Sequence, residues 1–425
     1  MSDTIFALSS GPAPAAIAVI RISGPASASA LTDMTGGIPA PRKASVRRLR
    51  DGEGRELDRA LVLWMPGPNT ATGEDMVELH CHGGRAVIAA VESALDEFAE
   101  LRRATPGEFT RRAFANGRID LAEAEGLADL LSAETELQRQ SALAMAGGVF
   151  SRQVEGWRLR LLGASAEVEA VLDFADEDDV AVLRPDFAAG LESLQSEVEC
   201  WLSRPRAEVL KDGFRVVLAG PPNAGKSTLF NALVESDAAI TAPLAGTTRD
   251  VLTRPVALEG LPFVFVDTAG LRGETADMVE AIGVERARDA LERADLVLWL
   301  GPEGRAPHGA WEIEAQADRD EHEVKVHPRH CVSALTGEGL DSLRADLVEV
   351  ARGAMPRPGE AALSARQHRI LAEAAAMLGD ARSLSDPLLV AEHLRLARVA
   401  FDSLVGRTTT EDMLDALFGR FCIGK

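Results

Sequence analysis

The stretch that most constrains the fold is "GPPNAGKST", residues 220–228. It directly follows the apolar run "RVVLA" and directly precedes "LFNALVES", which predicts a strand, a phosphate-binding loop and a helix in that order. Gly220 and Gly225 permit the tight loop, and its backbone N–H groups surround phosphate oxygens. Lys226 reaches the β- and γ-phosphates, while Ser227 offers a hydroxyl to Mg²⁺. The chain therefore contains a β/α domain that binds a nucleoside phosphate.

Three further motifs lie downstream of the phosphate loop, at 245–250, 267–270 and 333–339. "DTAG" (267–270) comes after an apolar strand, which places Asp267 near the metal and Gly270 near the γ-phosphate. "AGTTRD" (245–250) offers Thr248 as a second hydroxyl for Mg²⁺, and "SALTGEG" (333–339) is typical of the loop that contacts a guanine base. The ordered set predicts a GTPase of the translation-factor-like class and disfavours an ATPase.

Two positions depart from the usual GTPase pattern. Leu271 stands where many GTPases carry a glutamine that orients water, and Glu280 is the nearest candidate to replace it. Its alternative interpretation is a solvent-facing helix residue. The base motif Asn-Lys-x-Asp is best matched by "AQAD" (315–318), which keeps Asp318 for guanine but lacks the asparagine and the lysine. We expect the preference for guanine to survive through Asp318. The missing asparagine and lysine allow a lower affinity for guanine nucleotides.

The hydrophobic pattern predicts several domains in a chain of 425 residues. Strand-like runs with Gly and Pro punctuation predict an N-terminal α+β domain over 1–117. Helical periodicity over 118–210 and 356–425 predicts a discontinuous helical domain, whose halves pack together. The G domain, over 211–355, is inserted between them as an alternating β/α region with a mostly parallel sheet. At 105–108, "TPGE" predicts a capping box that starts the helical part.

Charge and cysteine usage limit the partners and the compartment. The formal net charge is −21, so any nucleic acid must be held locally, for example by the basic stretch 41–50 or the arginines over 102–118. Arginines on a solvated face explain those stretches equally well. Four dispersed cysteines and the lack of a long apolar run favour a reducing cytoplasm and no membrane.

The C-terminal "GRFCIGK" raises a separate question about Cys422. A prenylation box needs two aliphatic residues and a suitable terminal residue after the cysteine, and Ile-Gly-Lys fits at one position of three. A disordered tip and a reactive thiol remain as interpretations.

Taken together, these motifs resemble the MnmE (TrmE) family of tRNA modification GTPases. The resemblance rests on "PNAGKST", "AGTTRD" and "DTAGLR", on "IRISG" and "GPNTATGEDMVELHCHGG" near the start, on "RATPGEFTRRAFANGRIDLAEAEGLADL" and on the terminal "FCIGK". It covers essentially the whole chain. The N-terminal and C-terminal motifs are far more specific to this family than the phosphate loop is.

The resemblance implies a cytoplasmic homodimer that forms a heterotetramer with an MnmG-type flavoprotein carrying FAD. The complex would install a carboxymethylaminomethyl or aminomethyl group on C5 of the wobble uridine, position 34, of certain tRNAs. A tetrahydrofolate derivative, 5,10-methylene or 5-formyl, would supply or mimic the carbon. Folate would be bound by Arg21, Glu78, Arg118 and Lys425, with Cys422 near the transferred carbon. The family usually has lysine at position 118, so arginine keeps the charge and changes the geometry.

The resemblance also implies activation by K⁺ and by dimerisation of the G domains. The K⁺ ligands would be Asn223, Ala242, Leu244 and Thr247, with Ala242 in place of a more usual threonine, and Glu280 aligns with the family's catalytic glutamate. A ribosome-assembly or regulatory GTPase, without modification chemistry, is the alternative function. The residues expected to contact GTP are Asn223, Ala224, Gly225, Lys226, Ser227, Thr228, Ala242, Pro243, Leu244, Ala245, Gly246, Thr247, Thr248, Asp267, Thr268, Ala269, Gly270, Asp318, Ser333, Ala334 and Leu335.

Overall fold

The computed structural model describes residues 3–173, 183–235, 252–268, 288–319, 322–408 and 410–424. The chain forms two compact units. The first comprises Met1–Ala128, Ser151–Glu155 and Phe401–Lys425, and the second comprises Asp129–Phe150 and Gly156–Ala400. The domain boundaries expected from the sequence divide the chain differently and remain a prediction.

The first unit is built on a six-stranded sheet. Its strands are β1 (Thr4–Leu8), β2 (Ile17–Ser23), β3 (Ser45–Arg50), β4 (Glu56–Met65), β5 (Met76–His82) and β6 (Leu101–Arg103). Their order is β3-β4-β5-β2-β1-β6, antiparallel except for the parallel pair β1 and β6. Strand residues alternate between the two faces, so Ile20 and Ile22 are buried in one core while Arg21 points to the other side.

Helices α1 (Ser27–Thr35) and α2 (Arg85–Asp96) cover the apolar face of this sheet. Further along the chain, α3 (Glu108–Ala115) begins two residues later than the sequence predicts. Gly107, at φ 69°, is its N-cap, and the Thr105 hydroxyl does not cap the helix. Instead Glu108 reaches back to accept hydrogen bonds from the Thr105 N–H (2.9 Å) and from its hydroxyl (3.2 Å). Half of the expected capping box is present, because the Thr105 hydroxyl donates to a carboxylate rather than accepting from the backbone.

The C-terminal segment packs inside the first unit. Helix α4 (Leu121–Ser132) meets the last helix of the chain, Glu411–Phe418, in a small core. The buried side chains of that core are Leu121, Ala124, Leu414, Phe418 and Phe421.

The second unit contains the main helical stack. The helices that lie wholly or mainly in this unit are α5 (Glu136–Ala146), α6 (Val149–Asp173), α7 (Phe187–Leu202), α8 (Ala207–Asp212), α11 (Ala365–Ser383) and α12 (Pro387–Leu404). Side-chain capping boxes start α5 at Thr135 and α11 at Ser364. Helix α7, which precedes the β/α region, packs along α11, which follows it. The helical segments on the two sides of that region therefore meet in space.

The β/α region of the second unit forms a second six-stranded sheet. Its strands are β7 (Phe214–Ala219), β8 (Leu252–Leu258), β9 (Leu261–Asp267), β10 (Leu296–Trp299), β11 (Trp311–Glu314) and β12 (His330–Cys331). Their order is β12-β11-β10-β7-β9-β8, and every pair is parallel except β8 with β9. Helices α9 (Lys226–Glu235) and α10 (Leu340–Ala354) pack on this sheet. The last helix of the chain, Glu411–Phe418 in the first unit, is α13. This confirms the predicted fold class.

The alternation of strands with helices is incomplete in this region: β8 and β9 form a hairpin, and the described residues that join β10 to β11 and β11 to β12 contain no helix. Residues 300–310, between β10 and β11, contain turns but no helix. The segment "GPEGRAPHGA" explains this, because its prolines lack a backbone donor and its glycines disfavour helix.

Candidate functional site: a phosphate loop and a paired Arg–Glu site

The phosphate loop lies between β7 and α9, at the carboxyl end of the parallel strands, as such loops require. Asn223 (φ 63°) and Gly225 (φ 85°) both adopt left-handed backbone conformations, which produce the tight turn. Lys226 is buried at 5% exposure, and its Nζ donates to the carbonyl oxygens of Gly220 (3.0 Å) and Pro221 (2.7 Å). The ammonium is therefore held inside the curve of the loop.

Two oxygen-bearing side chains meet at the first turn of α9. The Ser227 hydroxyl donates a 2.5 Å hydrogen bond to Oδ2 of Asp267, the last residue of β9. Asp267 is fully buried, and β9 runs parallel to β7 with Asp267 opposite Leu218. A hydroxyl and a carboxylate are hard oxygen donors of the kind Mg²⁺ prefers, so these residues fit that ion. Next to them, the Thr268 hydroxyl donates to the Leu218 carbonyl at 2.8 Å.

The expected base-reading residues also come together. The buried Ser333 hydroxyl donates to Oδ1 of Asp318 at 2.6 Å, and this bond is the main cause of a lowered Asp318 pKa. The hydrogen bond from Ser333 therefore keeps the Asp318 carboxylate charged and oriented. A cavity of about 100 Å³ lies beside them, lined among others by Thr228, Asp318, Ala334 and Leu335. Leu335 is 81% exposed there, which suits an apolar side chain that would cover a planar base.

Gln316 lies between the cavity and the phosphate loop. It lines the same cavity, and its Nε2 donates to the Asn223 carbonyl oxygen at 3.3 Å. The sequence pattern marked position 316 only as a missing lysine. Nothing in the sequence shows that the glutamine side chain contacts the loop.

Arg21 and Glu78 form a second site on the sheet of the first unit. They are register partners on β2 and β5, and Arg21 bonds Oε1 of Glu78 through Nη2 (2.8 Å) and Nε (3.2 Å). His80 Nε2 lies 3.2 Å from the other carboxylate oxygen of Glu78. Burial raises the Glu78 pKa, but hydrogen bonds and charge from Arg21 outweigh it, so the pKa is lowered overall. The Glu78 carboxylate is therefore ionised, and both side chains are about four-fifths buried.

The C-terminal tail returns to this sheet. A Cβ at Gly424 would come within 2.2 Å of the Leu8 carbonyl oxygen, and Leu8 ends the strand in which Ala7 opposes Arg21. The Gly107 N–H donates to the Cys422 carbonyl at 3.5 Å, while the Cys422 side chain is exposed. With Phe418 and Phe421 buried, the described part of the tail is anchored rather than a loose tip.

Arg118 is exposed and approaches the loop that precedes β5. Its Cγ would lie 3.2 Å from a Cβ at Gly73, and Asn116 donates to the Thr72 carbonyl at 2.7 Å. The other expected site residues lie outside the described part of the chain. They are Ala242, Pro243, Leu244, Ala245, Gly246, Thr247, Thr248, Ala269, Gly270, Glu280 and Lys425.

Arg112 is a further buried charge that sequence reasoning missed. Its side chain is fully buried and bonds Glu74 Oε2 (3.0 Å), Glu108 Oε1 (3.2 Å) and the Asp3 carbonyl oxygen (2.9 Å). It therefore joins the N-terminus, the loop before β5 and α3. Two adjacent arginines in "TRRA" gave no sign of which one would be buried.

Family models cover most of the chain. A model described as "MnmE helical domain" matches residues 121–422, and one described as "GTP-binding protein TrmE N-terminus" matches residues 4–118. The chain belongs to the MnmE family. It is 64% identical over 423 residues to the tRNA modification GTPase MnmE of Erythrobacter litoralis (strain HTCC2594), with both chains covered in full. MnmE of Novosphingobium aromaticivorans is 63% identical, again with full coverage of both chains.

A third MnmE relative, from Rhizorhabdus wittichii, is 59% identical and matches 100% of this chain and 97% of its own length. Among solved structures, the G domain of the T. maritima FeoB iron transporter is 26% identical over 32% of this chain and 98% of its own, with a TM-score of 0.23. That score is too low to add to the assignment, which the MnmE relatives carry. Within the described residues, no helix is long and apolar enough to cross a membrane.

Proposed function

We propose that this MnmE-family GTPase is stimulated by K⁺ and, with an FAD-carrying flavoprotein partner, modifies C5 of the wobble uridine of certain tRNAs. The product is a carboxymethylaminomethyl or aminomethyl uridine at position 34, and a tetrahydrofolate derivative supplies the carbon. The observation that carries the proposal is the Arg21–Glu78 pair beside the C-terminal tail. A GTPase that only assembles or regulates ribosomes would have no use for that second site.

The nucleotide half of the proposal rests on the phosphate loop. Lys226 would leave the loop carbonyls it now bonds to and meet the β- and γ-phosphates, which are stronger acceptors than neutral carbonyls. Ser227 and Asp267, with Thr248 outside the described residues, would hold Mg²⁺. Asp318 would accept the N1 and N2 hydrogens of guanine, a role that its lowered pKa supports.

The hydrolytic step needs a positive charge near the β- and γ-phosphates and a positioned water. K⁺, when bound by Asn223, Ala242, Leu244 and Thr247, would supply the charge that an arginine finger supplies elsewhere. Asn223 is exposed on the phosphate loop, which supports its availability as a ligand. Glu280 would orient the water. Hydrolysis is therefore expected to be much faster in KCl than in NaCl, and Glu280→Ala should abolish it while nucleotide binding remains.

The folate half rests on the chemistry of the paired side chains. A reduced folate carries carboxylates, which suit guanidinium groups, and a pterin ring with N–H donors, which suits a buried carboxylate. The folate carboxylates would be bound by Arg21, Arg118 and Lys425. Glu78 would accept hydrogen bonds from the pterin ring. Cys422 is exposed near the tail contacts with α3, where a nucleophile or a positioning thiol could reach a bound substrate.

Exposed apolar residues on the same sheet support a homodimer. Ile17 (57% exposed), Val46 (55%) and Leu61 (37%) lie on β2, β3 and β4, and Val46 is the register partner of Leu61. Exposed apolar side chains on one sheet suit the twofold interface of a dimer, in which each protomer buries the same patch. Cytoplasmic tRNA would be the macromolecular substrate.

Calorimetry with 5-formyl-tetrahydrofolate tests the proposal. The wild-type protein should bind it, and Glu78→Gln should weaken binding by about tenfold or more because a charge-assisted pair is lost. GTP hydrolysis by the same preparations is the control and should be unchanged by the substitution. Hydrolysis without any folate binding at saturating protein would favour the ribosome-assembly alternative.

A further inference from the structure

Gln316 replaces the lysine that most GTPases carry in the base motif, and it contacts the phosphate loop. We propose that Gln316 is a positioning residue that clamps the phosphate loop against the base cavity and so determines affinity for guanine nucleotides. This inference rests on the proposed GTP binding. It concerns a residue outside the expected GTP contacts.

The contact is both polar and packed. The Gln316 Nε2 donates to the Asn223 carbonyl oxygen at 3.3 Å. The same side chain lies flat over Gly225, since a Cβ there would meet Gln316 Cγ and Nε2 at 3.1 Å and Cδ at 3.4 Å. All three of the nearest atoms belong to Gln316, so the loop glycine and the glutamine are fitted to each other.

The backbone on both sides of the hydrogen bond is held in an uncommon conformation. Gln316 has φ 60° and Asn223 has φ 63°, and neither is a glycine. Such conformations are unfavourable for residues other than glycine and persist only when surrounding contacts fix them. A bond between these two residues fixes both segments at once.

The clamp also connects the two ends of a bound nucleotide. Gln316 is two residues before Asp318, which Ser333 holds at the base end, and it bonds Asn223 three residues before Lys226 at the phosphate end. Gln316 and Asp318 both line the cavity of about 100 Å³, as does Gly225 of the phosphate loop. Movement of the phosphate loop would therefore disturb the segment that carries Asp318, and the reverse also holds. Losing the clamp should weaken the binding of every guanine nucleotide by a similar factor.

The amide keeps two properties of the missing lysine and lacks the third. It donates to a loop carbonyl and packs on the loop, but it adds no charge. Gln316 therefore supplies, at this position, the contact with the phosphate loop that a lysine would make. Gln316→Lys should retain the donor and the packing and add the charge, whereas Gln316→Glu places a carboxylate against a carbonyl oxygen with almost no change in shape.

Binding and release of fluorescent GDP, together with steady-state GTP hydrolysis, test the clamp in the full chain. Gln316→Ala and Gln316→Glu should raise the GDP Kd by about 5- to 20-fold and speed its release, and Gln316→Lys should stay within about twofold of wild type. At saturating GTP, kcat should be unchanged while KM rises. A rise in KM at unchanged kcat is the result that a merely structural residue would not give, because misfolding lowers the amount of active enzyme and therefore kcat.

Asp318→Asn provides the matched comparison, because it should shift preference from GDP towards xanthosine diphosphate whereas the Gln316 variants leave that ratio unchanged. GDP binding by Gln316→Glu and Gln316→Ala within twofold of wild type would overturn the clamp while leaving GTP binding intact. Wild-type protein that fails to bind GDP would overturn the proposed GTPase and the clamp together.

Discussion

The Ser227 hydroxyl bonds Oδ2 of Asp267 at 2.5 Å, joining the first turn of α9 to the end of β9. Two motifs separated by 40 residues of sequence meet in this contact. Parallel pairing of β7 with β9 brings them together, since both strands end at the same edge of the sheet.

Ser227→Ala should therefore impair Mg²⁺-dependent nucleotide binding. Losing one oxygen ligand is expected to weaken the Mg²⁺-dependent part of GTP affinity by about tenfold or more. A magnesium titration of GTP binding measures it, with Ser227→Thr, which keeps the hydroxyl, as control. Equal magnesium dependence in the alanine variant and the wild type would contradict the assignment.

Glu108 should make the free energy of unfolding of the first unit depend on pH in the acid range. Burial by itself raises its pKa, but hydrogen bonds from Arg102 and from the Thr105 N–H outweigh burial and bring the pKa to about 2. Because the folded pKa is below the unfolded value of about 4.3, the stabilisation is present above pH 4.3 and is lost as pH falls towards 2. Its size is at most on the order of 3 kcal/mol.

Urea unfolding of Glu108→Gln across pH 2–7 checks this. The wild type should unfold at a higher urea concentration than the variant at pH 7, and the difference should shrink below about pH 4.3. A difference between the two proteins that stays constant down to pH 2 would show that the charge of Glu108 is not the cause.

Gly107 should be needed to hold the C-terminal tail. A Cβ there would come within 2.1 Å of the Phe418 carbonyl oxygen, whereas a Cβ at Gly117 would meet nothing within 4 Å. Both glycines have positive φ, 69° and 66°, so the backbone penalty is shared. Gly107→Ala should therefore lower Tm by several degrees more than Gly117→Ala. It should also expose the bond after Arg420 to trypsin, and equal digestion of the two variants would oppose this account.

Cys422→Ser should separate GTP hydrolysis from modification. The thiol is exposed at the end of an anchored tail, in the unit that carries Arg21 and Glu78 rather than the unit that carries the phosphate loop. Hydrolysis should be unchanged, and modification of tRNA by the reconstituted complex should be lost. Cys200→Ser, an exposed cysteine on α7, is the control and should retain both activities. Full modification of tRNA by Cys422→Ser would show that Cys422 has no part in the transfer and is only a structural residue of the tail.

The motifs predicted the phosphate loop and both sheets because their chemistry is local. A strand, a glycine-rich loop and a helix are encoded by consecutive residues, and alternating burial of Ile20, Arg21 and Ile22 follows from the period of a strand. The pairing of helices that flank the β/α region also followed from matching periodicity. The resemblance supplied Arg21 and Glu78, which the structure places as direct register partners.

Tertiary contacts between distant segments could not be read from the sequence. Arg112 is buried and Arg111 is not, although the two are neighbours, because only the first faces Asp3, Glu74 and Glu108. Gln316 gave only the signal of a missing lysine, since its role depends on the Asn223 carbonyl 93 residues away in sequence. The turn-rich connection over 300–310 follows from its prolines and glycines, which disfavour helix.

Nucleoside analysis of bulk tRNA from a strain lacking this chain tests the central claim most directly. Deletion should remove the C5-substituted wobble uridines, and the wild-type gene should restore them, whereas Glu78→Gln should restore them poorly. Wobble uridines with full C5 modification in the deletion strain would contradict the proposed function.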